Sequence, residues 1–99
     1  MVFFFFDDVS LSEMPEISRF YGIIIRMYFQ DHNPPHFHAE YQGMKAEYDI
    51  RTLDLLAGNL PNRAHVLVLE WASKHREKLI ENWNKSQIPT QLEKIEPLD

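Results

Sequence analysis

The stretch His36-Phe37-His38-Ala39-Glu40-Tyr41-Gln42-Gly43-Met44-Lys45-Ala46-Glu47-Tyr48-Asp49 decides the fold. It is two alternating runs on either side of Gln42-Gly43, and a two-residue break is the length of a tight hairpin. Taken literally, that turn pairs Tyr41 with Met44, Glu40 with Lys45, Ala39 with Ala46, His38 with Glu47, Phe37 with Tyr48 and His36 with Asp49. One face of the hairpin is then apolar. The other sets His36 beside Asp49, His38 beside Glu47 and Glu40 beside Lys45. A slip of one residue would destroy both the apolar face and the charge matching, so the pattern itself argues for this register.

Upstream, Gly22–Phe29 is rich in β-branched and aromatic residues, with Ile23, Ile25, Met27 and Phe29 alternating towards a core and Arg26 and Tyr28 pointing the other way. Between this strand and the hairpin lies Asp31-His32-Asn33-Pro34-Pro35. The prolines restrict their own φ and the residue before each, so His32 and His36 are held at a limited set of separations. Downstream, Arg51–Asn59 reads as a connection, with Leu53, Leu55 and Leu56 as core plugs. Pro61 then opens one long helix running to Lys85. Ala64, Leu67, Val68, Trp71, Ala72, His75, Leu79 and Trp83 form its apolar face, and Glu70 with Lys74 and Glu81 with Lys85 its solvated side. Ser86–Asp99, with Pro89 and Pro97, reads as an extended tail anchored by Ile95 and Leu98. The expected fold is α+β: a small antiparallel sheet of three or more strands packed on a long C-terminal helix.

A chain of 99 residues makes one domain with a small core. The absence of cysteine excludes a disulfide framework and a thiolate metal site, and fits a reducing, cytoplasmic setting. A net charge of −5 argues against broad adhesion to nucleic acid, while leaving room for a local phosphate site. Residues 1–13 read as an appendage before a domain spanning 14–99. The run Phe3–Phe6 is too short to cross a membrane, is followed by Asp7 and Asp8, and is better suited to packing on a sheet edge or a neighbouring chain, which would make a homo-oligomer.

The stretches Met14–Ile23, Ile25–Phe29, Asp31-His32-Asn33-Pro34-Pro35-His36-Phe37-His38-Ala39-Glu40-Tyr41, Leu69–Glu77 and Ile95-Glu96-Pro97-Leu98 resemble the bacterial domain-of-unknown-function family 4160. The resemblance runs from Met14 to the C-terminus. It implies kinship with toxins of the DhiT type in type II toxin–antitoxin modules, often encoded beside a protein of domain-of-unknown-function family 2442, which would be the cognate antitoxin. It carries no catalytic residue over to this chain.

The residues themselves therefore have to supply the chemistry, and the motif has three readings. In the first, the histidines make ordinary cross-strand contacts with Asp49 and Glu47. In the second, His36 and His38 are acid and base for metal-independent, ribonuclease-like cleavage of RNA or another phosphorylated target. Arg26 then stabilises phosphate charge, Tyr28 hydrogen-bonds or stacks, and Asp49 and Glu47 orient the rings. In the third, His32, His36 and His38 bind zinc or another divalent metal, with Asp49 and Glu47 behind them. A non-catalytic module that binds a partner protein through an open sheet face or edge is the alternative from another class. His75 is expected to be buried against the Phe37 side of the sheet, and His65 to lie at the surface.

Overall fold

The computed structural model describes residues 14–88 and 90–99; the expectations for residues 1–13 and for Pro89 lie outside the described residues. Five strands, β1 (Glu16–Phe20), β2 (Ile23–Arg26), β3 (His36–Tyr41), β4 (Met44–Asp49) and β5 (Leu55–Gly58), form an antiparallel meander in sequence order. Helices α1 (Asn62–Lys74) and α2 (Arg76–Ser86) follow. The architecture is α+β.

The central hairpin has the register its pattern dictates, from Tyr41 opposite Met44 to His36 opposite Asp49. Its turn takes positive φ at both central residues, Gln42 (48°) and Gly43 (83°), and the β1–β2 turn repeats this with Tyr21 (49°) and Gly22 (80°). Positive φ at both positions is the backbone that matches the right-handed twist of the flanking strands. Ile23, Ile25, Phe37, Ala39, Ala46 and Tyr48 are buried on the face covered by α1, whose Ala64, Val68, Trp71 and Ala72 close the core. The Trp71 indole meets Phe37 edge-on at 5.8 Å between ring centroids.

Two elements differ from the sequence reading. Arg51–Asn59 is not merely a connection, because the Asp49 carboxylate accepts the Arg51 and Thr52 N–H groups, folding the chain into a tight turn that returns β5 alongside β4. Leu53 packs on the core, whereas Leu55 and Leu56 are exposed on β5 instead of plugging the interior. Glycine is required at the end of this strand. Gly58 has φ +66°, and a Cβ there would overlap the Lys45 carbonyl oxygen of β4. Gly58→Ala should therefore cost about 2–4 kcal/mol in chemical denaturation, from a left-handed backbone and a backbone clash together. A loss below about 1 kcal/mol would show that β5 is not held where described.

The second difference is that the long helix is two. His75, with φ −127°, ends α1 and precedes α2, and its N–H donates to Ala72 O. Just before the break the Ser73 hydroxyl donates to Glu70 O, and such back-bonding bends helices. His75 is half-buried, with its ring 5.5 Å from Trp71. Burial holds it below the usual imidazole value, with Lys74 and Lys78 acting in the same direction and Glu96 opposing. Because the folded value is the lower one, the unfolded chain binds more protons as pH falls from about 6.5 through it, and stability drops over that interval. His75→Gln should make that drop shallower in urea titrations at about pH 7 and about pH 5; an unchanged slope would contradict the account.

The tail packs rather than dangles. Ile95 N–H donates to Ile17 O beside β1, and the side-chain amide of buried Asn82 pairs with both backbone groups of Glu93. Trp71 Nε1 donates to Glu96 O, and Leu92, Ile95 and Leu98 are buried. Glu70–Lys74 forms as an ion pair at 3.6 Å, but Lys85 takes Glu93 at 2.7 Å in place of Glu81.

Candidate functional site

β3 alternates, so His36, His38 and Glu40 face away from α1, and β4 adds Lys45 and Glu47 to the same face. What completes the arrangement is the β2–β3 loop. Gln30 takes a left-handed backbone (φ 57°), secured by its N–H donating to Ser86 O at the end of α2, and the chain then turns Asp31 back over the histidines. Asp31 Oδ2 lies 3.0 Å from His36 Nε2 and 3.2 Å from His38 Nε2. Asp31 Oδ1 is engaged separately, accepting the His32 N–H at 2.9 Å with His32 Nδ1 at 3.0 Å.

The two histidines are held differently. His36 is buried beneath the loop and against Trp83, at 5.4 Å between ring centroids. Its Nδ1 is 2.8 Å from Pro34 O. A carbonyl oxygen only accepts, so Nδ1 carries a proton and Nε2 points at the aspartate side. His38 is half-buried, stacked on the Tyr28 ring at 4.2 Å, with Nδ1 3.9 Å from Glu47 Oε2. Glu47 Oε1 is also 3.8 Å from His36 Nε2. Burial raises Asp31, but the hydrogen bonds from His38 and the His32 N–H and the charges of both histidines outweigh it, leaving the carboxyl below its usual value. Burial, reinforced by Glu40, raises the Tyr28 phenol. Beside His38 opens a cleft of about 310 Å³ walled by Tyr28, Lys45, Glu47, Ala57 and Gly58.

The other sequence candidates are placed as follows. Arg26 Nε donates to Glu40 Oε2 at 3.1 Å and Nη1 to Met14 O at 3.0 Å, so much of its guanidinium is committed to the sheet. Asp49, although opposite His36 in register, turns its carboxylate to the β4–β5 turn. His32 is exposed and meets the far oxygen of Asp31, so the group that joins His36 and His38 is Asp31 rather than His32. The sequence reading passed over Asp31. Its signal was present in Asp31-His32 immediately before the proline step, but only the turn at Gln30 brings that side chain to the strand face. His65 also has a structural partner, its Nδ1 lying 2.8 Å from the hydroxyl of buried Tyr48.

Fold and site together define a small α+β domain with a histidine–aspartate centre on the central strand of a meander sheet. The chain belongs to the family described as Domain of unknown function (DUF4160), whose model matches residues 22–84, a span containing Asp31, His36, His38 and Glu47. No curated protein and no solved structure matches the chain.

Proposed function

We propose that this chain is the cytoplasmic toxin of a bacterial two-gene toxin–antitoxin module and hydrolyses RNA or another phosphorylated target at the Asp31–His36–His38 centre. One observation carries the reading: three groups able to activate water, Asp31, His36 and His38, converge, and His38 borders a cleft that it shares with Glu47. Water activated there attacks phosphorus, the bond to the leaving oxygen breaks, and that oxygen takes up a proton. Lys45, on the cleft wall, supplies positive charge for the phosphate, and the Tyr28 ring fixes the plane of His38. The buried position of His36 suits a role in holding the centre more than one in exchanging protons with solvent.

A second reading, protein capture, is favoured by β5. This strand pairs with β4 and leaves its outer edge free among the described residues, with Leu55 and Leu56 exposed beside it. Such an edge accepts a further strand, and a cognate antitoxin of domain-of-unknown-function family 2442 is the partner we assign to it. The test is expression of the chain with and without its neighbouring gene, together with incubation of purified protein with single-stranded RNA and with a model phosphodiester. Growth arrest relieved by the neighbour, with cleavage of at least one substrate, is the expected result. Arrest without cleavage would leave the capture reading standing, and neither arrest nor cleavage would overturn both.

A further inference from the structure

We propose that Asp31 Oδ2, His36 Nε2 and His38 Nε2 are three ligands of one divalent transition-metal ion, with the remaining coordination positions open towards the cleft beside Glu47.

Three features of the site carry this. The first is spacing: the three donor atoms lie within 4.8 Å of one another, and Asp31 Oδ2 is 3.0 and 3.2 Å from the two ring nitrogens. An ion about 2.0–2.2 Å from each donor requires neighbouring donors about 3.0–3.5 Å apart. The second is orientation. His36 gives Nδ1 to Pro34 O at 2.8 Å and turns Nε2 inward, and His38 turns its Nε2 to the same Asp31 oxygen at 3.2 Å, with Nδ1 on the side of Glu47. His36 is thus held as ligating histidines are, with the outer nitrogen given to a carbonyl so that the inner one keeps its lone pair for the metal, and His38 presents its inner nitrogen to the same point.

The third is an orphan. His36 Nε2 is buried and has no hydrogen-bond partner, although Asp31 Oδ2 stands only 3.0 Å away, because the oxygen lies outside hydrogen-bonding geometry. Native structures rarely leave such an atom unsatisfied. An acceptor beside the ring axis, not on it, occupies the position of a neighbouring ligand. A cation on that axis satisfies His36 and bonds the carboxylate at the same time.

The donor set selects the class of ion. Two imidazoles and one carboxylate suit zinc, iron(II), manganese or cobalt, whereas magnesium and calcium prefer oxygen alone. Bound here, the ion lowers the pKa of a coordinated water and supplies the nucleophile that the hydrolytic reading needs. Glu47, 3.8 Å from His36 Nε2, stands where it can complete the coordination or accept that water's proton. His32 is not a ligand. The outer oxygen of Asp31 accepts the His32 backbone N–H, a contact that any side chain at this position keeps.

The inference deepens the hydrolytic reading of the same centre, and binding can be measured without any activity. Protein freed of metal by chelator is titrated calorimetrically with Zn²⁺ and Mn²⁺, and with Co²⁺ while the visible spectrum is recorded. The expected result is one ion per chain, with Asp31→Asn and His38→Ala each weakening it at least tenfold and His32→Ala, His65→Ala and His75→Ala leaving it within about twofold. Nitrogen-15 shifts of the wild-type imidazoles, which need no variant to fold, should move at Nε2 of His36 and His38 alone. No stoichiometric binding, or binding lost on His32→Ala and kept in Asp31→Asn, would overturn the proposal. Cleavage by metal-free protein that takes up no ion would overturn it and spare the hydrolytic reading, whereas tight binding without any cleavage would do the reverse.

Discussion

Trp71→Ala should lower unfolding stability by about 3–5 kcal/mol, the range expected when a large aromatic leaves a packed core. Trp71 has no exposed surface, and its ring lies 5.4 Å from Phe20, 5.8 Å from Phe37 and 5.5 Å from His75. It thus joins β1, β3 and the junction between the helices, and through Nε1 it holds the tail at Glu96 O. Removing the ring opens a cavity that the sheet cannot collapse into and leaves a carbonyl without its donor. A domain of this size has about 5–15 kcal/mol in total, so the variant should sit at the edge of folding and melt at least about 12 °C lower. Trp71→Phe, which keeps the ring packing and forfeits the hydrogen bond, should recover much of the loss. A denaturant midpoint within error of wild type for Trp71→Ala would mean that the helix does not cover this face.

His38→Ala should reduce phosphodiester cleavage by about 10²–10⁴-fold and relieve growth arrest, while changing stability by no more than about 1 kcal/mol. The asymmetry follows from where the side chain sits. His38 is half-buried on the face away from α1, so little packing is lost with it. Yet it is the histidine that borders the cleft, and with it goes the contact at 3.2 Å to Asp31 Oδ2. Turnover in wild type and variant, with urea titrations of both, separates the two effects. Full activity in a folded His38→Ala protein would remove the centre from the reaction.

The parts of this fold that were legible in the sequence are those in which two independent patterns had to agree. Between Phe37 and Tyr48 the apolar alternation and the charge pairing across the turn permit a single register, and the observed pairs match it throughout. The helix break was hidden because it preserves phase: Ala64, Val68, Trp71 and Ala72 of α1 continue into Leu79, Asn82, Trp83 and Ser86 of α2 at unbroken helical spacing, with no proline or glycine between. β5 was hidden for a different reason. Leu55-Leu56-Ala57-Gly58 does not alternate, because the whole strand is exposed, and it is placed by the Asp49 turn rather than by its own composition.

The candidate centre was half legible for the same reason. His36 and His38 share a face by strand periodicity alone, whereas Asp31 reaches them through a loop whose path depends on Gln30 and on the end of α2. Loop placement is tertiary information, and a periodic reading sees only the element itself.

The most direct measurement is X-ray diffraction from crystals of the zinc-loaded protein at wavelengths on either side of the zinc absorption edge. The account predicts one anomalous peak per chain, about 2.0–2.2 Å from His36 Nε2, His38 Nε2 and an oxygen of Asp31, with the His36 Nδ1 contact to Pro34 O kept. A peak on His32 or His65 with none between His36 and His38, or Asp31 turned away from both rings, would contradict it.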